Sequence, residues 1–297
     1  MLDFAAEFRF ATRTMPFLLA IASAICYGSA DFIGGIVTRR LAAIPVVLLS
    51  QAAGLLAIGV LMPLFPPTTP TTSDFVWGGA AGLAGGTGVA LLYHALAIGT
   101  MSVVAPTTAV AAVAIPVIAS IALGERPGWQ ATLGILIGIG AIVLVSRQTP
   151  TAAPADSPEG APRSLGVGVA LCSGVAIGLF LLALAQTRPS AGLWPLVASR
   201  VVSVSLVGGV AVARRTSLRM STRLGALTIA GGLVDMVANA LYLLAVQIGP
   251  LSPVVTLSSL YPASTVLLAR AVLGERLNVW QMVGVACALL AVILIVS

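Results

Sequence analysis

The sequence contains no lysine, a single histidine and only nine acidic residues among 297. The absence of lysine excludes the Gly-rich, lysine-ending phosphate-binding loop of ATP-hydrolysing proteins. The His-Glu-x-x-His metal motif and the Gly-x-Ser-x-Gly nucleophile motif are both missing. We therefore expect neither enzymatic activity nor a cofactor or metal ion.

Charge is scarce and apolar side chains are abundant. Charged residues make up 8% of the chain and hydrophobic residues 59%, with a mean hydropathy of +1.08. A soluble domain cannot bury that much apolar surface, so lipid must cover most of it. All 15 basic residues are arginines, and most lie between apolar segments. The net charge of +6 therefore indicates contact with the membrane surface and not with nucleic acid.

Apolar runs of spanning length, about 20 residues each, predict an all-α integral membrane protein with ten transmembrane helices. The runs lie near residues 16–37, 43–64, 74–98, 102–122, 128–146, 164–185, 192–213, 222–247, 251–271 and 278–296. One long polar break, residues 147–163, is rich in alanine and proline and reads as a linker.

The two sides of that linker repeat. Sliding the chain by 150 positions pairs Leu123-Gly124-Glu125-Arg126 with Leu273-Gly274-Glu275-Arg276, and Trp129-Gln130 recurs one place off as Trp280-Gln281. Earlier in each half, Cys26 and Gly28 match Cys172 and Gly174. We divide the chain into repeat 1 (16–146), the linker (147–163) and repeat 2 (164–297). Five helices per repeat force the second repeat into the membrane with opposite orientation, as in many transporters with a midplane substrate site.

These features resemble the EamA-type proteins of the drug/metabolite transporter superfamily. The resemblance rests on the Leu-Gly-Glu-Arg turns followed by Trp-Gln, and on the first-helix element Tyr27-Gly28-Ser29-Ala30-Asp31-Phe32. It implies a multi-pass protein of the cell inner membrane that exports amino acids or similar amphipathic metabolites by alternating access. A lipid or drug flippase, or a channel-like pore, is the alternative function.

Ionisable residues inside apolar runs mark candidate site positions, because such groups usually face the interior of a helix bundle. In the second repeat, Asp235 is followed at i+4 and i+7 by Asn239 and Tyr242, which places the three on one helical face. Arg200 lies well inside helix seven. Arg200 and Asp235 either form a structural ion pair or hold the two ends of a zwitterionic substrate.

Two candidate residues in the first repeat, Asp31 and His94, each have two possible roles. Asp31 either faces the pathway together with Tyr27 or pairs with Arg39 or Arg40 of the following loop. His94, next to Tyr93, is either a carrier of a coupled proton or a packing residue.

Hydroxyl groups beside proline complete the set of candidates. Proline removes a backbone donor and frees a carbonyl, so Ser258 and Tyr261 next to Pro262 are positioned to offer polar groups to a cavity. Simple kinking for helix packing is the alternative. The four tyrosines Tyr27, Tyr93, Tyr242 and Tyr261 are possible stacking surfaces for a substrate.

Arginine distribution predicts the orientation in the membrane. Ten arginines fall on the side of the first loop: Arg39, Arg40, Arg147, Arg163, Arg214, Arg215, Arg219, Arg223, Arg270 and Arg276. Four fall on the side of the N-terminus: Arg9, Arg13, Arg126 and Arg188. The arginine-rich side is expected in the cytoplasm and both termini outside. Expected partners are a small-molecule substrate and membrane lipids, with proton coupling as an open alternative, in a monomer or a homodimer.

Overall fold

A computed structural model describes residues 2–65, 67–122, 129–146, 163–248, 254, 257–274 and 279–296. Within these ranges the secondary structure is helical, with ten α-helices and two short 3-10 turns at Met62–Leu64 and Pro189–Ala191. The helices are α1 (Leu2–Thr38), α2 (Ala43–Leu61), α3 (Thr72–Ile98), α4 (Met101–Ala122), α5 (Trp129–Ser146), α6 (Arg163–Ala185), α7 (Trp194–Ala213), α8 (Thr222–Ile248), α9 (Tyr261–Leu273) and α10 (Val279–Val296). This agrees with the predicted all-α fold of ten helices.

The apolar character of the helices fits a protein that crosses the membrane many times. Six described helices contain a segment long and apolar enough to span it, in α1, α2, α3, α6, α7 and α8. Shorter apolar segments lie in α4, α9 and α10. Large apolar side chains such as Leu56, Val60 and Leu136 are exposed on the outer surface. In lipid this exposure carries no penalty, because the acyl chains are as apolar as the side chains.

Helix α9 differs most from its predicted range of 251–271. Leu257 and Ser258 are helical, Ser259 and Leu260 form a turn, and α9 begins at Tyr261. Pro262 stands in the first turn of α9, where its missing N–H would have no intrahelical partner. The proline therefore starts a new helix here, and the chain is interrupted beside the centre of the bundle.

Helix α4 contains a proline of its own, Pro106, and is nevertheless continuous from Met101 to Ala122. Its hydroxyls serve the scaffold, since Thr107 donates a hydrogen bond to the Val103 carbonyl at 2.8 Å and Thr108 donates to the Ala170 carbonyl at 3.2 Å. The two repeats have thus diverged in whether this helix is broken.

The two halves pack through each other in a symmetric pattern. Helix α1 packs on α8 and α9, and its counterpart α6 packs on α3 and α4. Helix α2 contacts its counterpart α7, and α5 contacts its counterpart α10. Each half therefore depends on the other for its core, as expected for interlocked inverted repeats.

Matching glycines set the two equivalent crossings. A methyl group on Gly28 would lie 2.5 Å from the Tyr261 carbonyl oxygen, and one on Gly174 would lie 2.5 Å from the Thr108 carbonyl oxygen. Both distances are too short for a real contact, so only glycine permits α1 to approach α9, and α6 to approach α4, this closely. At the first crossing, Thr265 also donates a hydrogen bond to the Gly28 carbonyl at 3.2 Å.

A polar contact joins the halves at the end of the bundle where α3 begins. The Asp74 carboxylate accepts hydrogen bonds from the Thr71 N–H at 2.8 Å and from the Arg188 N–H at 3.0 Å. The Arg188 guanidinium pairs with the same carboxylate at 3.1 Å. The segment between α6 and α7 is thereby fastened to the start of α3. Residues 147–162 of the predicted linker, Glu125 and Glu275 lie outside the described residues.

Candidate functional site

A cavity of about 990 Å³, including its open mouth, lies at the centre of the bundle between the two halves. Its lining comes from α1 to α4, from α6 to α9 and from the turn before α9. Eight of the ten candidate residues line it: Tyr27, Asp31, Arg200, Asp235, Asn239, Tyr242, Ser258 and Tyr261. Asp235 and Asn239 stand near the middle of α8, and Tyr261 is the first residue of α9 at the break in the chain.

The Arg200 guanidinium is the hub of the polar network in this cavity. It donates hydrogen bonds to the Asp235 carboxylate of α8 and to the Gln51 side-chain oxygen of α2. Ser203 also donates to Gln51, at 3.3 Å. The Arg200 side chain is 9% exposed and the Asp235 side chain 22% exposed. The ion pair named from the sequence as the structural alternative is formed, and both of its members also line the cavity. The other alternative, a zwitterionic substrate held between them, stays a prediction.

The predicted polar face of α8 is present as a physical unit. Asn239 donates to the backbone carbonyl of Asp235 at 2.8 Å and approaches its carboxylate at 3.4 Å. Tyr242 follows one turn later and lines the same cavity. The face holds the Asp235 carboxylate in a defined rotamer toward Arg200.

Asp31 is arranged differently from Asp235. Its carboxylate lines the cavity on α1, and among the described residues it has no hydrogen bond and no ion pair. The Asp235 carboxylate is near enough to the Asp31 carboxylate for the two to interact electrostatically. The alternative pairing with Arg39 or Arg40 is not formed, because these residues follow the end of α1 two turns away.

The break before α9 contributes hydroxyl groups and an aromatic pair. Ser258 lines the cavity and donates a long hydrogen bond, 3.4 Å, to the Ala20 carbonyl. The Tyr27 and Tyr261 rings meet edge to face with centroids 6.2 Å apart. The Tyr261 hydroxyl is buried and has no hydrogen-bond partner within the described part of the chain. A buried polar group without a partner is costly, so this hydroxyl is suited to receive a ligand.

A second part of the cavity lining is apolar. It is formed by α3, α4 and α6 and includes Gly85, Val89, Leu92, Ala109, Ala112, Ile177, Phe180 and Leu181. Four of these positions are repeat partners of polar residues in the lining. The 150-residue shift pairs Asp235 with Gly85, Asn239 with Val89 and Tyr242 with Leu92. The shift of 146 that matches Gly28 with Gly174 pairs Asp31 with Ile177. Equivalent positions of the two repeats therefore carry polar residues in one case and apolar residues in the other.

Tyr93 and His94 are not part of this cavity. The Tyr93 ring is buried against Gly34, where a methyl group would lie 2.1 Å from its Cζ atom. His94 is exposed on the opposite face of α3. His94 is two positions after Leu92, which lines the cavity, and a separation of about 200° around the helix turns it to the other side.

Several lining residues were missed by the sequence analysis, notably Gln51, Ser203 and Phe180. Gln51 could have been predicted from the sequence, because it is the only amide in the apolar run of α2. Polar side chains inside a membrane-spanning helix usually face the bundle interior. Phe180 carried none, since an aromatic residue in an apolar run is indistinguishable from a packing residue.

Comparison with known proteins relates this architecture to a protein family and to a known fold. The model of the EamA-like transporter family matches the chain twice, over residues 14–147 and 164–297. The chain belongs to the EamA-like transporter family. The fold of this EamA-family protein is similar to a crystal structure of a protein with 15% sequence identity, at a TM-score of 0.61, covering 95% of this chain and 96% of that one. No curated protein matches the chain in sequence.

Membership of the family makes this EamA-family protein a multi-pass membrane transporter of small solutes in the drug/metabolite transporter superfamily. The inverted repeats and the central cavity are the parts of the fold on which such transport depends.

Proposed function

We propose that this EamA-family protein is a secondary transporter that moves small amphipathic solutes, such as amino acids, by alternating access. The observation that carries the proposal is a central cavity with one polar and one apolar wall, built at the interface of two inverted halves. A solute with a polar head and an apolar body would satisfy both walls at once. Exchanging the conformations of the halves would then open the cavity to the other side of the membrane.

Export from the cell is the direction we propose, and the family resemblance is its support. Energy would come from the solute gradient or from proton exchange, with Asp31 and Asp235 as the titratable groups in the cavity. A zwitterion held between Arg200 and Asp235 would have to open their ion pair, so its binding would depend on both partners.

The test is solute exchange in proteoliposomes. Vesicles loaded with an unlabelled amino acid or a related amphipathic solute are placed in labelled solute, with and without a pH gradient. We expect saturable uptake that requires internal solute, together with loss of uptake in the Asp235→Asn variant. Absence of exchange for every amino acid, amine, drug and sugar phosphate tested would refute the proposal.

The alternative is a lipid or drug flippase, or a channel-like pore, with the same architecture. The largely apolar lining of the cavity is the observation in its favour. In the same vesicles, scrambling of a fluorescent lipid would support the flippase, and solute flux that does not saturate would support the pore.

A further inference from the structure

The charges that line the central cavity do not balance. The described lining contains two carboxylates, those of Asp31 and Asp235, and one guanidinium, that of Arg200. One positive and two negative groups leave one formal negative charge. In water-poor surroundings an ionised carboxylate without a partner is costly, so a ligand that brings the compensating positive charge is favoured there.

The uncompensated charge belongs to Asp31. Arg200 is already engaged by Asp235 and Gln51, and its side chain is almost fully buried between them. Asp31 has no hydrogen-bond or ion-pair partner among the residues the structure describes. The buried hydroxyl of Tyr261 is likewise without a partner there, and it is near enough to Asp31 to feel its charge. These two groups are the free polar contacts that the cavity offers to a ligand.

The surface facing these groups carries no charge. On α6, the repeat partner of Asp31 is Ile177, and Phe180 lies one turn further on with its ring against Gly85 of α3. The rings of Tyr27 and Tyr261 form the side next to the carboxylate. Aromatic faces attract organic cations, which adds to the attraction of the carboxylate.

We infer that the cavity selects a monovalent amphipathic organic cation, an amine or ammonium compound. Its charged nitrogen lies at Asp31 beside Tyr27 and Tyr261, and its apolar body lies against Ile177 and Phe180. This inference rests on the proposed transport function; among its small amphipathic solutes it favours cations in place of zwitterionic amino acids. A zwitterion would place its carboxylate in a cavity whose single available charge is already negative, and an anion would do so without any compensation.

The test compares three solutes that share a phenyl ring and differ in charge. They are phenethyltrimethylammonium, phenylalanine and 3-phenylpropionate; the permanent charge of the first prevents passive leakage through the bilayer. Binding is measured on the purified protein in detergent, and exchange of the labelled cation is measured in proteoliposomes with the other two as competitors. We expect the cation to bind about tenfold or more tightly than the zwitterion, the scale of one unbalanced charge contact, and the anion not to compete.

Single-residue variants test whether Asp31 is the group that binds the cation. Asp31→Asn should weaken cation binding about tenfold and abolish the preference over phenylalanine, whereas Asp31→Glu should retain the preference. Ser29→Ala is the matched control, because Ser29 lies on the same helix outside the cavity lining and bonds only within α1. Phe180→Ala should weaken binding of the phenyl cation and leave that of tetramethylammonium unchanged.

The possible outcomes distinguish a failure of the cation preference from a failure of the proposed transport function. Saturable exchange of phenylalanine that the cation does not inhibit would overturn the inference and leave the transporter proposal standing. Exchange of none of these solutes, nor of the wider panel above, would remove both. The wild-type comparison decides the charge preference even if Asp31→Asn fails to fold.

Discussion

Arg200 illustrates, at the scale of a single residue, how a buried charge is tolerated inside a membrane protein. Its guanidinium is bonded on one side to Asp235 and on another to Gln51. Three helices, α2, α7 and α8, meet at this one group. Removing either charge should therefore affect stability as well as binding, and the two partners should not be equivalent.

We predict that Arg200→Ala destabilises the protein by about 3–5 kcal/mol, because it leaves the Asp235 carboxylate uncompensated and the Gln51 oxygen without its donor. Adding Asp235→Asn to this variant should restore part of the loss by removing the stranded charge. Thermal unfolding in detergent measures both variants. The Asp235→Asn single variant completes the cycle, and losses of the two single variants that simply add in the double variant would show that the pair contributes no coupling.

His94 is the counterexample, an ionisable residue whose position in an apolar helix does not place it in the cavity. It is exposed on the outer face of α3, away from the cavity. We predict that His94→Gln leaves solute exchange within about twofold of wild type, with or without a pH gradient. Loss of stimulation by the pH gradient in this variant alone would instead assign proton coupling to His94.

At the scale of helices, the two repeats share the same close helix–helix crossings. The α1–α9 and α6–α4 pairs use a glycine at equivalent positions, and the facing carbonyls of Tyr261 and Thr108 are in contact with those glycines. The same helices then diverge at their inner surfaces, where one pair presents Asp31 and Tyr261 and the other presents Ile177 and Ala109. The scaffold is duplicated while the cavity surface is not.

We predict that Gly28→Ala and Gly174→Ala each destabilise the protein by about 1–3 kcal/mol through overpacking at these crossings. Gly59→Ala is the control, since a methyl group there would have no atom within 4 Å. Thermal unfolding and size-exclusion profiles in detergent provide the measurement. A Gly28→Ala or Gly174→Ala protein as stable as the Gly59→Ala protein would contradict the close packing described for that crossing.

At the scale of the whole molecule, orientation follows from charge placed between helices. Arg39 and Arg40 lie between α1 and α2, and Arg214, Arg215 and Arg219 lie between α7 and α8. Repeat inversion puts both loops on one membrane face. At the other face, Arg188 is held by Asp74 and is partly neutralised by it. The arginine excess on the side of the first loop therefore includes no allowance for this pairing of Arg188.

We predict that the arginine-rich face is cytoplasmic and that both termini are outside. A C-terminal alkaline phosphatase fusion, active only outside the cytoplasm, should be active, and a C-terminal green fluorescent protein fusion should be dark. A fusion placed between α7 and α8 should give the reverse pattern. Fluorescence of the C-terminal fusion would overturn the assignment.

The sequence by itself determined the all-helical membrane fold, the duplication and its inversion. Hydropathy follows directly from residue type, and an ungapped repeat such as Leu-Gly-Glu-Arg requires no knowledge of contacts. The sequence also located the polar face Asp235–Asn239–Tyr242, because helical periodicity alone places these residues together.

Only the tertiary structure decided which of the remaining polar residues meet. It brought Gln51 to Arg200 from 149 residues away, left Asp31 in the cavity without a partner among the described residues, and turned His94 outward. It also gave the cavity an apolar wall as well as a polar one. The physical reason is that helix rotation and crossing depend on packing of both halves at once, and this information is not contained in any single stretch of the chain.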